Sequence, residues 1–128
     1  MNMKGWEDLK TFARGLGLPN VEEATSWGNP NLKAHGKLWC WWAPQAYADA
    51  PAFKVDANEM EFLLEVRADT FFTTDHHRSY NIVLMRPEKF DADWARANLY
   101  SVWRRQAKKT WLKKWVANNP DHPASAEL

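Results

Sequence analysis

The residues best suited to chemistry lie in one short run, Asp75-His76-His77-Arg78-Ser79, between two apolar segments. Histidine exchanges a proton near neutral pH and an arginine fork holds an anion, so His76, His77 and Arg78 are candidates for an anion or phosphate contact. As a turn between strands, the run puts its two histidines on opposite sides, which makes them a poor metal chelate. His35 could join one of them only if two hairpins lie side by side. Thr73, Thr74 and Asp75 beside His76 have the residue types of acyl transfer. The single cysteine, Cys40, sits among apolar residues, where a thiolate is disfavoured. No HExxH, CxxC or glycine-rich phosphate loop occurs. No catalytic residue, metal site or cofactor is expected.

A second constellation is basic and aromatic. The formal charge is only +1, but residues 91–117 carry seven Lys/Arg against two Asp/Glu. On one continuous helix Arg104, Arg105, Lys108, Lys109 and Lys113 occupy the arc opposite the stripe Leu99, Trp103, Ala107 and Trp111. Arginine and lysine track phosphates and exposed tryptophans stack on bases, so this arc with Trp111 and Trp115 could hold nucleic acid. A third feature is the strand Lys37 to Ala43. A period of two puts Trp39 and Trp41 on one face and Leu38, Cys40 and Trp42 on the other, so both faces are apolar. Its outer face would be covered by a partner or a second copy of the chain. Trp6, Trp27, Trp94 and Trp103 are expected to be scaffold.

The elements that must position these residues follow from periodicity and punctuation. Trp6, Leu9, Phe12, Ala13 and Leu16 recur at helical steps, and Gly15, Gly17 and Pro19 end that helix. Ala24 to Ala43 reads as strands and turns, with a turn at Gly28-Asn29-Pro30 and a tight hairpin at Ala34-His35-Gly36-Lys37. Ala52 to Val55 makes a strand, and Asp56 with Glu59 forms a capping box before a helix bearing Met60, Leu63 and Leu64. Phe71 to Thr74 and Tyr80 to Arg86 are strands. Asp91 or Asp93 caps a final helix running to about Ala117, and the segment 118–128 is expected to be a flexible tail. Adjacent strands without βαβ alternation give a two-layer α+β domain over residues 1–117, with an antiparallel sheet of about five strands, helices packed on one face and a long C-terminal helix.

Composition narrows the class. A chain of 128 residues with 45% hydrophobic and 26% charged residues is ordinary single-domain globular material. Its near-neutral total excludes a protein that coats DNA through general basicity, and the start MNMKGWEDLK has no signal-peptide core. The longest uncharged run, Leu38 to Ala48, is too short to span a bilayer. A cytoplasmic protein without a membrane partner is the expectation.

Several short motifs then fall in a familiar order: Leu18-Pro19-Asn20-Val21-Glu22-Glu23, Thr25-Ser26-Trp27-Gly28-Asn29-Pro30, Lys33, Gly36-Lys37, Lys54-Val55-Asp56, Phe72-Thr73-Thr74-Asp75-His76 and Val83-Leu84-Met85-Arg86. From about Lys4 to Lys109 the chain resembles the MmcQ/YjbR proteins. The resemblance implies a frataxin-like α+β sandwich, called a double wing in that family, and a DNA-binding role. It places His76 at a family histidine, and Lys33, Gly36 and Lys37 in a glycine–lysine turn. Ser79 and Asn81 depart from the family's glycine and proline, and Trp41, Trp42, Trp111 and Trp115 go beyond its pattern. The expected function is a small non-catalytic binding protein with nucleic acid as the leading ligand. The candidate nucleic-acid or anion contacts are Lys33, His35, Lys37, His76, His77, Arg78, Arg104, Arg105, Lys108 and Lys109. The candidate stacking or partner surface is Trp39, Trp41, Trp42, Trp111 and Trp115. A protein-interaction or chaperone-like module and a small-molecule or anion pocket around His76 are the alternatives.

Overall fold

The two tightest turns in the chain each pair an ordinary residue with a glycine in the left-handed region. Trp27 and Gly28 have φ of 53° and 79°, and His35 and Gly36 have 55° and 79°. Two-residue hairpin loops require this backbone because its twist matches that of the strands they join. In the computed structural model, which describes residues 3–126, they connect β1 (Val21–Ser26), β2 (Asn29–Ala34) and β3 (Lys37–Ala43). The meander continues into β4 (Ala50–Lys54), then β6 (Ile82–Met85), with β5 (Phe71–Phe72) at the far edge. All five pairings are antiparallel, giving a six-stranded sheet in the order β1-β2-β3-β4-β6-β5. The expected strand region begins at Ala24, inside β1, because Glu22 and Glu23 on this exposed edge break the apolar alternation before it.

One irregularity decides which side chains enter the core. Asn31 faces Trp41 and Leu32 faces Cys40, but Lys33 faces Leu38, so the register slips there and Trp39 has no Cα partner. A bulge of this kind puts two successive side chains on one face and reverses the alternation beyond it. Trp39 and Cys40 are both fully buried in the helix-side core, together with Leu32 and Phe53. Leu38 and Trp41 are left on the other face. The pairing of Trp39 with Trp41 expected from strict alternation is therefore wrong, and the inserted residue is the reason.

The helices pack on the Trp39 side. α1 (Trp6–Arg14) buries Leu9 and Ala13, and α2 (Ala57–Val66) buries Met60 and Leu63 behind the Asp56 cap, whose carboxylate accepts from the Glu59 N–H at 2.7 Å. α4 (Ala92–Gln106) starts at Asp91, which accepts from the Trp94 N–H at 3.0 Å and pairs with Arg67 at 2.9 Å. Hydrogen bonds across long sequence distances tie this helix to the sheet. The Trp39 indole donates to the Leu99 carbonyl at 3.0 Å, and Gln106 Nε2 donates to the Ala34 carbonyl at 2.9 Å.

The single long C-terminal helix is broken. Ala107 and Lys108 are extended, with ψ of 149° and 135°, and α5 (Lys109–Asn118) starts afresh. Packing explains the break: the rings of Trp111 and Trp115 lie 5.8 and 4.8 Å from that of Trp103. On a straight helix an eight-residue separation is about 12 Å of rise, which would carry Trp111 past Trp103. The segment after α5, expected to fray, is also held. Ala124 is fully buried, Arg104 donates to its carbonyl at 2.7 Å, and His122 Nε2 donates to the Leu16 carbonyl at 3.0 Å. Residues 127 and 128 of that expected tail lie outside the described residues.

The hydrogen bond from the Trp94 N–H, followed by the Arg67 guanidinium, holds the Asp91 carboxyl below its ordinary value. A depressed acid stabilises the fold fully above its unfolded value of about 3.9, and that contribution fades as pH falls through the folded value. Asp91→Ala is expected to cost about 1 kcal/mol near neutral pH. In urea titrations the gap between wild type and variant is expected to shrink below about pH 4.

Candidate functional site

The sheet face turned away from the main helices is set by the register alone. Ala24, Asn31, Trp41, Ala52, Leu84 and Phe72 are directly opposed in sequence across all six strands. Ala48 of the β3–β4 loop packs on Ala43, Ala50, Ala52 and Leu84, so the middle of this face is covered by the chain's own loop. Towards the β1–β2 turn the face is open and holds a cavity of about 700 Å³. Trp41, Leu38 and Asn31 line it from the sheet, Trp27 and Pro30 from the hairpin, and Pro44 and Tyr47 from the loop. His76, His77 and Tyr80 close the side beyond the loop.

The fourth wall rests on α3 (Asp75–Arg78), a single helical turn where the sequence suggested an open polar turn. Because the chain there is helical, His76 and His77 do not splay to opposite sides of a strand. Tyr47 stacks on His76 with ring centres 4.4 Å apart and 13° between planes, and meets His77 edge-on at 6.3 Å. His77 is buried, and its Nδ1 lies 2.7 Å from Thr74 Oγ1. Threonine beside histidine at this distance has the spacing of a nucleophile and its base. Among the described residues no carboxylate hydrogen-bonds the ring to orient it, and the contact instead fastens the start of the turn. Burial, and then the neighbouring His76 charge, pull the His77 pKa below its ordinary value.

The electrostatics are simple: among the described residues no Lys, Arg, Asp or Glu lines the cavity. Its polar groups are Ser26, Asn29, Asn31, two histidines and the Tyr47 and Tyr80 hydroxyls. Asn31 is only 2% exposed; its Nδ2 donates to Ser26 Oγ at 3.0 Å, while its Oδ1 has no partner among the described residues. Trp27 is 100% exposed at the turn tip. The arrangement can stack a flat molecule and give it few, directed hydrogen bonds. Among the described residues no three His, Cys, Asp or Glu side chains come together as a metal cluster, and no helix is long and apolar enough to cross a membrane.

The sequence candidates are dispersed over this framework. Of the pair His76 and His77, both reach the cavity, whereas Arg78 is exposed and does not line it. Trp41 and Trp42 line it, and Trp42 Nε1 also donates to Asp49 at 2.9 Å. Trp39 is core. Lys33 sits opposite Leu38 in the ladder, half-buried. His35 lies at the other end of β2, between Trp103 and Trp111 at ring distances of 5.0 and 5.1 Å, so it does not join His76. Arg104 is committed to the Ala124 carbonyl. Arg105, Lys108 and Lys109 are exposed, but the break at Ala107 removes the continuous arc they were expected to share. Trp111 and Trp115 pack against the core, 11° from parallel to each other, and are not free stacking platforms. Lys54 has its pKa lowered by burial and by the nearby Lys37 and Arg105 charges, so these three cations converge near the His35 turn.

Sequence reasoning missed Trp27, Tyr47, Tyr80 and Asn31. Trp27 was assigned to the scaffold, yet its place beside Gly28 at a hairpin tip leaves it no core to reach. That much was readable. Tyr47 belongs to a loop segment without period, Tyr80 reads as the start of a strand but lies in the turn before β6, and nothing local marks Asn31.

Comparison with known proteins adds the following. A family model described as YjbR matches residues 16–118. The crystal structure of Deinococcus radiodurans protein DR2400, with a domain described as DUF419, is similar at a TM-score of 0.66 and 17% identity. The alignment covers 99% of this chain and 95% of that one. Comparison with curated proteins finds no match.

The histidine at the cavity wall leads to a measurable pH effect. A histidine with a lowered folded pKa stabilises the fold fully above its unfolded value of about 6.5, and the contribution is lost as pH falls through the folded value. His35, also lowered by burial, acts in the same direction. The urea midpoint is therefore expected to fall between about pH 7 and pH 5. His77→Gln is expected to flatten part of that fall.

Proposed function

The chain belongs to the YjbR family, and we propose that it is a small binding protein whose aromatic cavity takes a planar, uncharged organic ligand. One observation carries this reading: a cavity of about 700 Å³ on the open sheet face, rich in aromatic rings and, among the described residues, without a carboxylate, ammonium or guanidinium in its lining. Volumes of about 300–1,000 Å³, apolar walls and a few placed polar groups are typical of small-molecule sites. A phosphate or carboxylate would find no cation there to replace its water.

Nucleic acid is the second reading, and a different place favours it. Lys37, Lys54 and Arg105 converge near the His35 turn, with Lys37 and Arg105 exposed. With few cations available, binding there would be weak and would fall with salt. A protein partner or second copy would instead cover Trp27 and Tyr80, which are 100% and 71% exposed.

A panel of neutral bicyclic heterocycles, titrated while the tryptophan side-chain resonances are followed, separates these readings. Saturable, salt-independent shifts are expected at Trp27 and Trp41, and Trp41→Ala is expected to weaken binding about tenfold. Tight, salt-dependent binding of labelled DNA that survives Trp41→Ala but is lost in Arg105→Glu would overturn the first reading.

A further inference from the structure

Away from the cavity, one cluster of cations has no acid to balance it. Lys54 ends β4 half-buried, and its Nζ donates to Gln106 Oε1 at 3.0 Å. An ammonium only donates, so the amide oxygen must face it. Gln106 Nε2 then donates to the Ala34 carbonyl at 2.9 Å and the Lys37 carbonyl at 3.3 Å. One amide thus fastens the end of β4 to the His35 turn, with Arg105 beside it on α4. Lys37 and Arg105 are exposed, so the place is open to solvent.

The charge there is left uncompensated. The five ion pairs among the described residues all involve other cations. A lysine drawn into a fold is ordinarily paired, yet Lys54 is held by a neutral oxygen. Burial, and then the charges of Lys37 and Arg105, pull its pKa down. The C-terminal end of α4 supplies about half a negative charge against these three positive ones. Glu59 feels the Arg105 charge but makes no ion pair with it among the described residues, and the Asp56 carboxylate is taken by the Glu59 N–H.

We propose that Lys37, Lys54 and Arg105 form a receptor for a phosphate monoester group, a second site at the opposite end of β2 from the aromatic cavity. Such a group carries a charge of about −1.5 to −2 near neutral pH, and its oxygens match an arginine fork and ammonium donors. The three cations come from β3, β4 and α4 and close on one place, which suits a single compact, doubly charged group. A nucleic-acid strand instead carries single charges spaced along a chain, and calls for cations laid in a row. The site stands independently of the cavity reading, since none of its three cations lines the cavity.

Methyl phosphate and dimethyl phosphate, titrated into the full chain while the lysine ε-methylene resonances are followed, test this directly. The second ester removes one charge and keeps the tetrahedral shape. Saturable shifts are expected at Lys37 and Lys54, with methyl phosphate bound about tenfold more tightly than dimethyl phosphate. Bound methyl phosphate is also expected to raise the Lys54 titration midpoint, because a nearby anion favours the ammonium. Equal, unsaturable shifts at every surface lysine mean a diffuse ion atmosphere and overturn the proposal. Lys54→Met keeps the apolar stem, removes the charge and is expected to abolish saturation. Should it not fold, the exposed Arg105→Gln carries the test: methyl phosphate is expected to bind several-fold more weakly, and an unchanged affinity overturns the proposal. An oligonucleotide without a terminal phosphate that binds more tightly than methyl phosphate, with shifts spreading to Lys108 and Lys109, overturns it in favour of a nucleic-acid track.

Discussion

A single extra residue in β3, where Trp39 lacks a partner across from Leu32 and Lys33, controls how the rest of the molecule is assembled. Without it, Trp39 and Trp41 would share a face, and either the core would lose its largest ring or the open face would lose Trp41. With it, Trp39 enters the core and its indole N–H caps the Leu99 carbonyl in the middle of α4. That bond satisfies a polar group which would otherwise be buried at a cost, and it sets where α4 lies on the sheet. Trp103 is carried by the same helix to its own acceptor, the Pro19 carbonyl at 2.9 Å. Trp111 and Trp115 then fold back on Trp103, and the chain must leave helical geometry at Ala107 to allow it. The break in the basic arc is thus a distant consequence of aromatic packing.

The same bulge creates the site. By turning Leu38 and Trp41 outward together, it makes an aromatic floor beside Asn31, and the β3–β4 loop and α3 supply walls through the stacked pair Tyr47 and His76. Charge is segregated from this floor. The exposed cations Lys37 and Arg105 gather near the opposite end of β2, while Arg104 is used internally. A face built this way favours stacking and directed hydrogen bonds over long-range attraction, which ties the proposed ligand class to the fold.

What the residues revealed in advance was local. The hairpin at His35-Gly36 and the Asp56 and Asp91 caps follow from backbone preferences within a few residues, and they stand in the structure. The α+β class follows from the order of such elements. The bulge was not legible, because Trp39 and Cys40 both suit a strand and only the opposing strand decides the register. Nor was the helix break: Ala107-Lys108 contains neither glycine nor proline, and the cause lies in tertiary contacts of Trp103. His76 and His77 were recognised as a pair at a site, but their helical turn hid inside a run that reads as polar loop. Asn31 was invisible because an unpaired oxygen is a property of the assembled wall and not of the residue.

The central claim is that this bulge divides the tryptophans between a sealed core and an open, ligand-facing surface. Attenuation of assigned tryptophan side-chain resonances by a soluble paramagnetic agent measures that division in one experiment. The account predicts strong attenuation at Trp27, clear attenuation at Trp41, and protection of Trp39 and Trp103. Attenuation of Trp39 with protection of Trp41 would contradict it, because that is the pattern of a strand that alternates without the bulge.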